Sequence, residues 1–338
     1  MKSSRIVVSL VVLCLIFSAH ALQAQSKRTC ATEDVFLLEA EKDESLISKR
    51  NKFESEITKA AQQLLNTENS GSPRIIPVVF HVIHEYGPEN ISKAQILDQI
   101  RILNEDFRRT NADTVNTPAA FTPVAADCNI EFRLAQLDPQ GNCTDGIVRV
   151  YSPLTSSGIG DGAQLKALSR WPNDKYLNYW VVRTITGGIL GYATFPGGNA
   201  NVDGVVCGHN YTGSIGTAVG GAYDLGRTAT HEVGHWLSLL HIWGDSNCGN
   251  DLVADTPTAS GSNFGCATYP HVSCNNGPNG DMFMNYMDYS DDICFNIFTA
   301  GQSARMNATL NNARNNVWTQ ANLIATGTDG SATGACSL

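Results

Sequence analysis

His231-Glu232-Val233-Gly234-His235-Trp236-Leu237-Ser238-Leu239-Leu240-His241 is the stretch that decides the fold. Helical spacing puts residues i and i+4 on one face, so His231 and His235 aim two imidazoles at one point. Glu232 stands where the general base for a metal-held water belongs. His241 reaches the same point if the helix stops after Leu237 and the chain turns back. Three nitrogen donors with an open fourth position are the ligand set of catalytic zinc. The bland alternative is a helix with two buried, hydrogen-bonded histidines, and a third histidine at this spacing weighs against it. The periodicity of Leu225, Ala229, Val233, Leu237 and Leu240 predicts the helix over residues 225–240. No glutamate follows Glu232, which removes a downstream glutamate as third ligand. Asp245, Asp251 and Asp255 remain as oxygen donors, but imidazole suits zinc better.

Working outward, Asn285-Tyr286-Met287-Asp288-Tyr289-Ser290-Asp291-Asp292-Ile293-Cys294 follows some fifty residues later. H-E-x-x-H-x-x-x-x-x-H followed by a methionine-containing turn resembles the metzincin clan of zinc endopeptidases. HEVGHWLSLLH, DLVADTP, NYMDYSDDIC and FTAGQSARM are similar to the ulilysin-like members of its pappalysin family, over residues 74–318. The resemblance implies zinc on His231, His235 and His241, and Glu232 as general base and acid. It implies Met287 as packing beneath the metal and Tyr289 as a phenol that steadies the tetrahedral intermediate. It makes Asp292 the carboxylate of the pocket for the residue after the scissile bond, which selects arginine, or lysine. It points to calcium at Asp251, the Val253 carbonyl and Thr256, and to disulfides Cys248–Cys274 and Cys266–Cys294. The competing readings are core packing for Met287 and Tyr289 and solvated loop charges for the aspartates. Metzincins carry glycine where this chain has Ser238, and serine bears a conformational cost there if φ is positive.

The implied fold is α+β: a metzincin-type zincin in two subdomains. The upper one (residues 74–237) holds a twisted, mixed five-stranded sheet and the active-site helix. The lower one (residues 238–338) is irregular and disulfide-braced, with a last helix near residues 302–318. The residues themselves predict a buried strand at 75–83 and further strands at 130–137, 147–151 and 176–183. Ser92 and Gln95 read as a capping box opening a helix striped by Ile96, Ile100, Leu103 and Phe107. Gly191-Tyr192-Ala193-Thr194-Phe195-Pro196 fits an edge strand closed by proline. In metzincins such an edge, here Gly191, Tyr192 and Ala193, receives peptide by strand addition.

The chain has 338 residues, 42% of them hydrophobic, enough for a sizeable core. A net charge of −9 argues against nucleic acid or an anionic membrane surface as partner. Met1-Lys2-Ser3-Ser4-Arg5 precedes an apolar run from Ile6 to Phe17 and an A-x-A-like site at Ala19-His20-Ala21. This reads as a signal peptide over residues 1–21, so export to the medium or the periplasm is expected and membrane insertion is not. Export permits disulfides. Cys14 leaves with the signal, Cys30 is the odd one, and the remaining eight cysteines are an even set able to pair fully.

Residues 22–73 are charge-rich, helical in pattern and end in a polar linker, and read as a propeptide of a self-processed zymogen; a solvated helical arm is the alternative. Cys30 in Arg28-Thr29-Cys30 then becomes a candidate thiolate ligand that holds the enzyme latent. The catalytic part would be residues 74–338, with Pro73–Arg74 as the processing site. The expected activity is peptide-bond hydrolysis on protein or peptide substrates. A secreted binding or adhesion protein with a structural metal is the rival, but it needs a closed fourth ligand; a non-peptidase metallohydrolase is a third reading.

Overall fold

The computed structural model describes residues 27–65, 71–330 and 336, so the expected signal segment lies outside the described residues, as does 66–70 of the linker. The spine is β1 (Arg74–His84), whose apolar run leaves nothing from Ile76 to His84 exposed. Around it lie β2 (Ile130–Leu134), β3 (Ile147–Tyr151), a small pair β4 (Ser156–Ser157) and β6 (Thr184–Ile185), β5 (Leu177–Val182), β7 (Gly191–Ala193) and β8 (Val205–Gly208). The main sheet runs β2-β1-β5-β8-β7, with β3 also on β1. β2 pairs with Arg74 to Val78 and β3 with Phe80 to His84, so the two short strands share one edge of β1 in tandem. Six strands thus fill the width of five. All pairings are parallel except β7 on β8, which makes the sheet mixed.

Both faces of β1, β5 and β8 are buried, which is why these strands read as near-continuous apolar runs, while β3 on the edge of β1 has no buried residue. One face carries Ile76, Val78, Phe80, Val82, Leu177, Tyr179, Val181, Val205 and Cys207. It packs on α3 (Lys93–Phe107) and α5 (Arg227–Trp236) through Ile96, Leu103, Phe107, Ala229, Val233 and Trp236. The other face offers Ile83, Trp180, Val182 and Val206 to Leu165 of α4 (Gly162–Ala167) and to Ala31 and Val35. Val35 lies on α1 (Thr32–Lys42), the first of two helices before the sheet. The second, α2 (Ser45–Leu64), lays Ile57 and Ala61 against Ala304 and Ala308 of α6 (Ala300–Asn311). α7 (Gln320–Thr326) closes the order.

Several sequence expectations shift at their edges. The motif helix is shorter than residues 225–240: it starts after Gly226 (φ 73°) and ends at Trp236. Ser92 caps α3 by accepting from Gln95 N–H. Gln95 does not complete the box, because its buried amide donates to the carbonyls of His209 and Thr212 in a crossing loop. The last helix breaks at Asn312, whose side-chain amide donates back to the Ala308 carbonyl and competes with the helical ladder.

The structure joins Cys248–Cys274 and Cys266–Cys294, and also Cys143–Cys336. The eight cysteines are not fully paired: Cys128 and Cys207 are free and wholly buried, serving as small apolar side chains of the core. Among the described residues no helix is long and apolar enough to cross a membrane.

Candidate active site

α5 carries His231, Glu232 and His235, all about 1% exposed. It ends in a turn in which Ser238 N–H reaches the His235 carbonyl (2.8 Å) and Leu239 N–H the Gly234 carbonyl (2.9 Å). That pattern is a Schellman motif, and it requires a left-handed residue at the position after the cap. Ser238 occupies it with φ 77°. The reversed chain brings His241 back beside the helix.

The three Nε2 atoms lie 3.1, 3.1 and 3.3 Å apart. Each Nδ1 faces an acceptor: His231 the Tyr286 carbonyl (2.7 Å), His235 the Leu239 carbonyl (2.8 Å) and His241 the Asp245 carboxylate (2.5 Å). Those acceptors assign the ring protons to Nδ1, so three bare lone pairs converge with no donor between them. Burial first, and then the neighbouring rings, push His231 and His235 well below the usual histidine range, so both are neutral. Only a cation satisfies this arrangement. Nitrogens bound at 2.0–2.1 Å with a tetrahedral angle sit about 3.3 Å apart, so the donor set fits zinc. The Asp245–His241 contact is the carboxylate–histidine support typical of such ligands.

Beneath the ligands Met287 is wholly buried, and a Cβ on Gly234 would come within 2.5 Å of its Sδ; the missing side chain lets the methionine seat against the helix. Glu232 is raised to about 7 by burial, opposed by hydrogen bonds from Cys30 and Thr32. A Cβ on Gly191 would meet Cys207 Sγ at 2.9 Å and Glu232 Cγ at 3.0 Å, so a bare backbone at β7 keeps the glutamate in place.

The cleft between β7 and Tyr289 is filled by the chain's own residues 28–32. Cys30 pairs in parallel with Gly191, Leu190 N–H reaches the Thr29 carbonyl (3.0 Å), and Ala193 N–H reaches Thr32 Oγ1 (2.8 Å). Tyr289 Oη accepts from Cys30 N–H (3.2 Å) and lies 3.3 Å from its carbonyl. Cys30 Sγ and the three Nε2 atoms lie within 4.8 Å of one another, forming a four-donor group. Tyr192, the third residue named at the edge, packs on the opposite sheet face with Leu165, Trp180 and Ala31.

Asp292 is wholly buried. Its Oδ2 accepts from the N–H groups of Leu225 (2.9 Å) and Arg227 (3.2 Å), and its Oδ1 is ion-paired with the guanidinium of Arg28. That guanidinium lies over Tyr223 (4.7 Å) and Phe295 (4.9 Å). Arg28 is the residue that sequence reasoning missed. Its signal was there, an arginine two positions before the unpaired cysteine in a chain expected from its sequence to carry a carboxylate for arginine.

Asp251, Val253 and Thr256 come together: Thr256 Oγ1 lies 2.8 Å from the Asp251 carboxylate and 2.9 Å from the Val253 carbonyl. The other two acidic residues of that loop are spent elsewhere, Asp245 on His241 and Asp255 on capping α6 through Thr299 Oγ1 (2.6 Å) and Gly301 N–H (2.8 Å).

The peptidase M43 family model, described as pregnancy-associated plasma protein-A, matches residues 163–311. An extracellular metalloprotease of Pyricularia oryzae is 36% identical over 226 residues, covering 64% of this chain and 67% of that protein. One from Colletotrichum graminicola is 32% identical, covering 71% of this chain and 77% of that protein. Mirolysin in complex with a small compound superposes with a TM-score of 0.71 at 45% identity, over 76% of this chain and 99% of that one. A promirolysin mutant from Tannerella forsythia superposes with a TM-score of 0.76 at 42% identity, over 86% of this chain and 97% of that one. With three imidazoles poised for one ion beside a glutamate, and relatives that are metalloproteases along most of its length, the chain belongs to the peptidase M43 (pappalysin) family of metzincin zinc metalloendopeptidases.

Proposed function

We propose that this metalloendopeptidase is exported as a zymogen, cuts before arginine and, less well, lysine, and frees itself by cutting before Arg74. The observation that carries the specificity is the buried Arg28 guanidinium, lying over two rings and paired with the buried Asp292. An arginine supplied by a substrate would find the same carboxylate and the same two ring faces. Export is supported by the extracellular relatives, and a propeptide stage by the superposition on promirolysin. Peptide as substrate is supported by mature mirolysin, which holds a cleaved peptide. Residues 1–21 are assigned to the signal, 22–73 to the propeptide and 74–338 to the catalytic part, divided near Ser238. The test is to map the cuts in a peptide library with and without a zinc chelator. Cuts before arginine that vanish on chelation and return with zinc support the reading, and cuts with no preference discard the pocket assignment.

Zinc, when held by His231, His235 and His241, supplies Lewis acidity and an acidified water. Glu232 takes the proton of that water on its carboxylate and returns it to the leaving amine. Its burial, which disfavours the charged form, makes it a ready proton acceptor and donor there. Tyr289 Oη, once Cys30 has left, is free to donate to the developing oxyanion. Gly191 and Ala193 offer main-chain groups for strand addition.

Cys30 supplies the fourth donor and so occupies the place the water needs. Burial and the adjoining Glu232 push its thiol up, so it binds as thiolate only with the cation present. Such a bond contributes at least as much as a charged hydrogen bond, about 1.5–3 kcal/mol, so Cys30→Ala should shorten the activation lag about tenfold or more. An unchanged lag would sink the latency role.

Calcium is proposed at Asp251, the Val253 carbonyl and Thr256. Burial raises Asp251 from 3.8 to about 7. Without a cation, such a carboxyl stabilises the fold below its unfolded value and loses that contribution as pH rises through 7. A calcium ion replaces the proton, so its affinity should fall about tenfold per pH unit below that point. The melting temperature with and without calcium should differ at about pH 8 and converge at about pH 5; an equal gain at both removes the carboxylate from the site.

A further inference from the structure

Ser238 sits where the turn to the third imidazole demands a left-handed backbone, at φ 77°, with no solvent exposure. Serine is a poor choice for that conformation, and such residues persist only where their surroundings over-determine them. Beyond the turn's own backbone bonds, one side chain grips Ser238 itself. Arg305 of α6, 1% exposed, donates from Nε to the Ser238 carbonyl (2.7 Å) and from Nη2 to Ser238 Oγ (3.2 Å). The same helix also holds the methionine turn: Gln302 and Asn285 exchange hydrogen bonds at 2.8 and 3.0 Å, and Asn285 Oδ1 accepts from Met287 N–H at 3.0 Å. α6 is therefore tied both to the turn between His235 and His241 and to the methionine turn that follows.

We propose that Arg305 is a positioning residue for the metal site: its fork on Ser238 does what glycine would do without help, keeping the left-handed turn that returns His241 to the ion. In the zymogen the outer edge of the same guanidinium is taken by α2, through an ion pair with Glu54 and a hydrogen bond to Thr58 Oγ1 (3.2 Å). That contact holds the propeptide, whereas the contact with Ser238 holds the turn, and the two are separable by mutation.

The inference rests on His241 as third ligand, so the experiment tests both. Zinc affinity of the full chain is measured by competition with a chromogenic chelator, which reads the site without reference to activity. Arg305→Met should weaken zinc about 10- to 100-fold, the range seen when supports of a ligand are lost. Ser238→Gly in that background should recover most of the loss, because glycine adopts the turn unaided. Glu54→Ala should leave zinc affinity unchanged, and His241→Ala should abolish tight binding. Unchanged affinity in Arg305→Met alongside an impaired His241→Ala overturns the role of Arg305, as does failure of glycine to rescue. Unchanged affinity in His241→Ala instead overturns the ligand assignment. If Arg305→Met does not fold, the double variant decides: folded and zinc-binding supports the proposal, unfolded overturns it.

Discussion

Glu232→Ala is expected to lower peptide hydrolysis by about 10²- to 10⁴-fold while leaving zinc content unchanged. The separation follows from geometry. The carboxylate lies in hydrogen-bond contact with Thr32 Oγ1 (3.0 Å) and Cys30 Sγ (3.3 Å), on the cleft side, while the three imidazoles are held by other partners. Removing it therefore deletes the proton carrier without loosening a donor. Rates on a quenched fluorescent peptide, paired with metal analysis of the same preparation, check both halves. A variant that keeps wild-type turnover would move the proton chemistry to another group. A variant that loses zinc as well would make Glu232 a structural partner of the site.

Asp292→Asn should reduce the preference for arginine over leucine after the scissile bond by about 10²- to 10³-fold. A buried guanidinium facing a neutral amide keeps its desolvation penalty and loses the charge that offset it. Asparagine is the informative change because it retains an oxygen for the N–H groups of Leu225 and Arg227, which the carboxylate now serves. The ratio of kcat/KM for two peptides differing only at that residue is the measurement. The same substitution weakens the hold on Arg28, so the variant zymogen should also mature faster. A retained ratio would mean that the ring faces of Tyr223 and Phe295 alone choose the side chain.

The features legible in the sequence were those written in short-range spacing. The imidazoles of α5 share a face because helices repeat every 3.6 residues, and β3 was readable because Ile147 to Tyr151 is a compact run of β-branched and aromatic residues around a single arginine. What stayed hidden depends on partners far along the chain. Nothing near Gln95 says that its amide will serve a loop more than a hundred residues away. Asp106 on α3, wholly buried, accepts from Thr230 Oγ1 (2.7 Å) and Tyr286 Oη (2.9 Å), and so steadies both neighbours of the first imidazole. In sequence it is one more acidic residue on a helix, raised to about 6 only by the burial that tertiary packing creates. Arg28 and Arg305 were missed for the same reason: a charge becomes legible only when its counter-charge is known to face it. The helix end at Trp236 was misjudged because Leu237, Leu239 and Leu240 continue the apolar pattern after the backbone has already turned.

The bond between Cys143 and Cys336 spans 193 residues and encloses the entire metal site, with two smaller rings inside it. A protease shares its surroundings with copies of itself and carries arginines on its own surface. One cut in an exposed loop inside that ring opens a circle and does not release an arm, so the pieces remain a single covalent molecule and the broken ends stay close enough to keep packing.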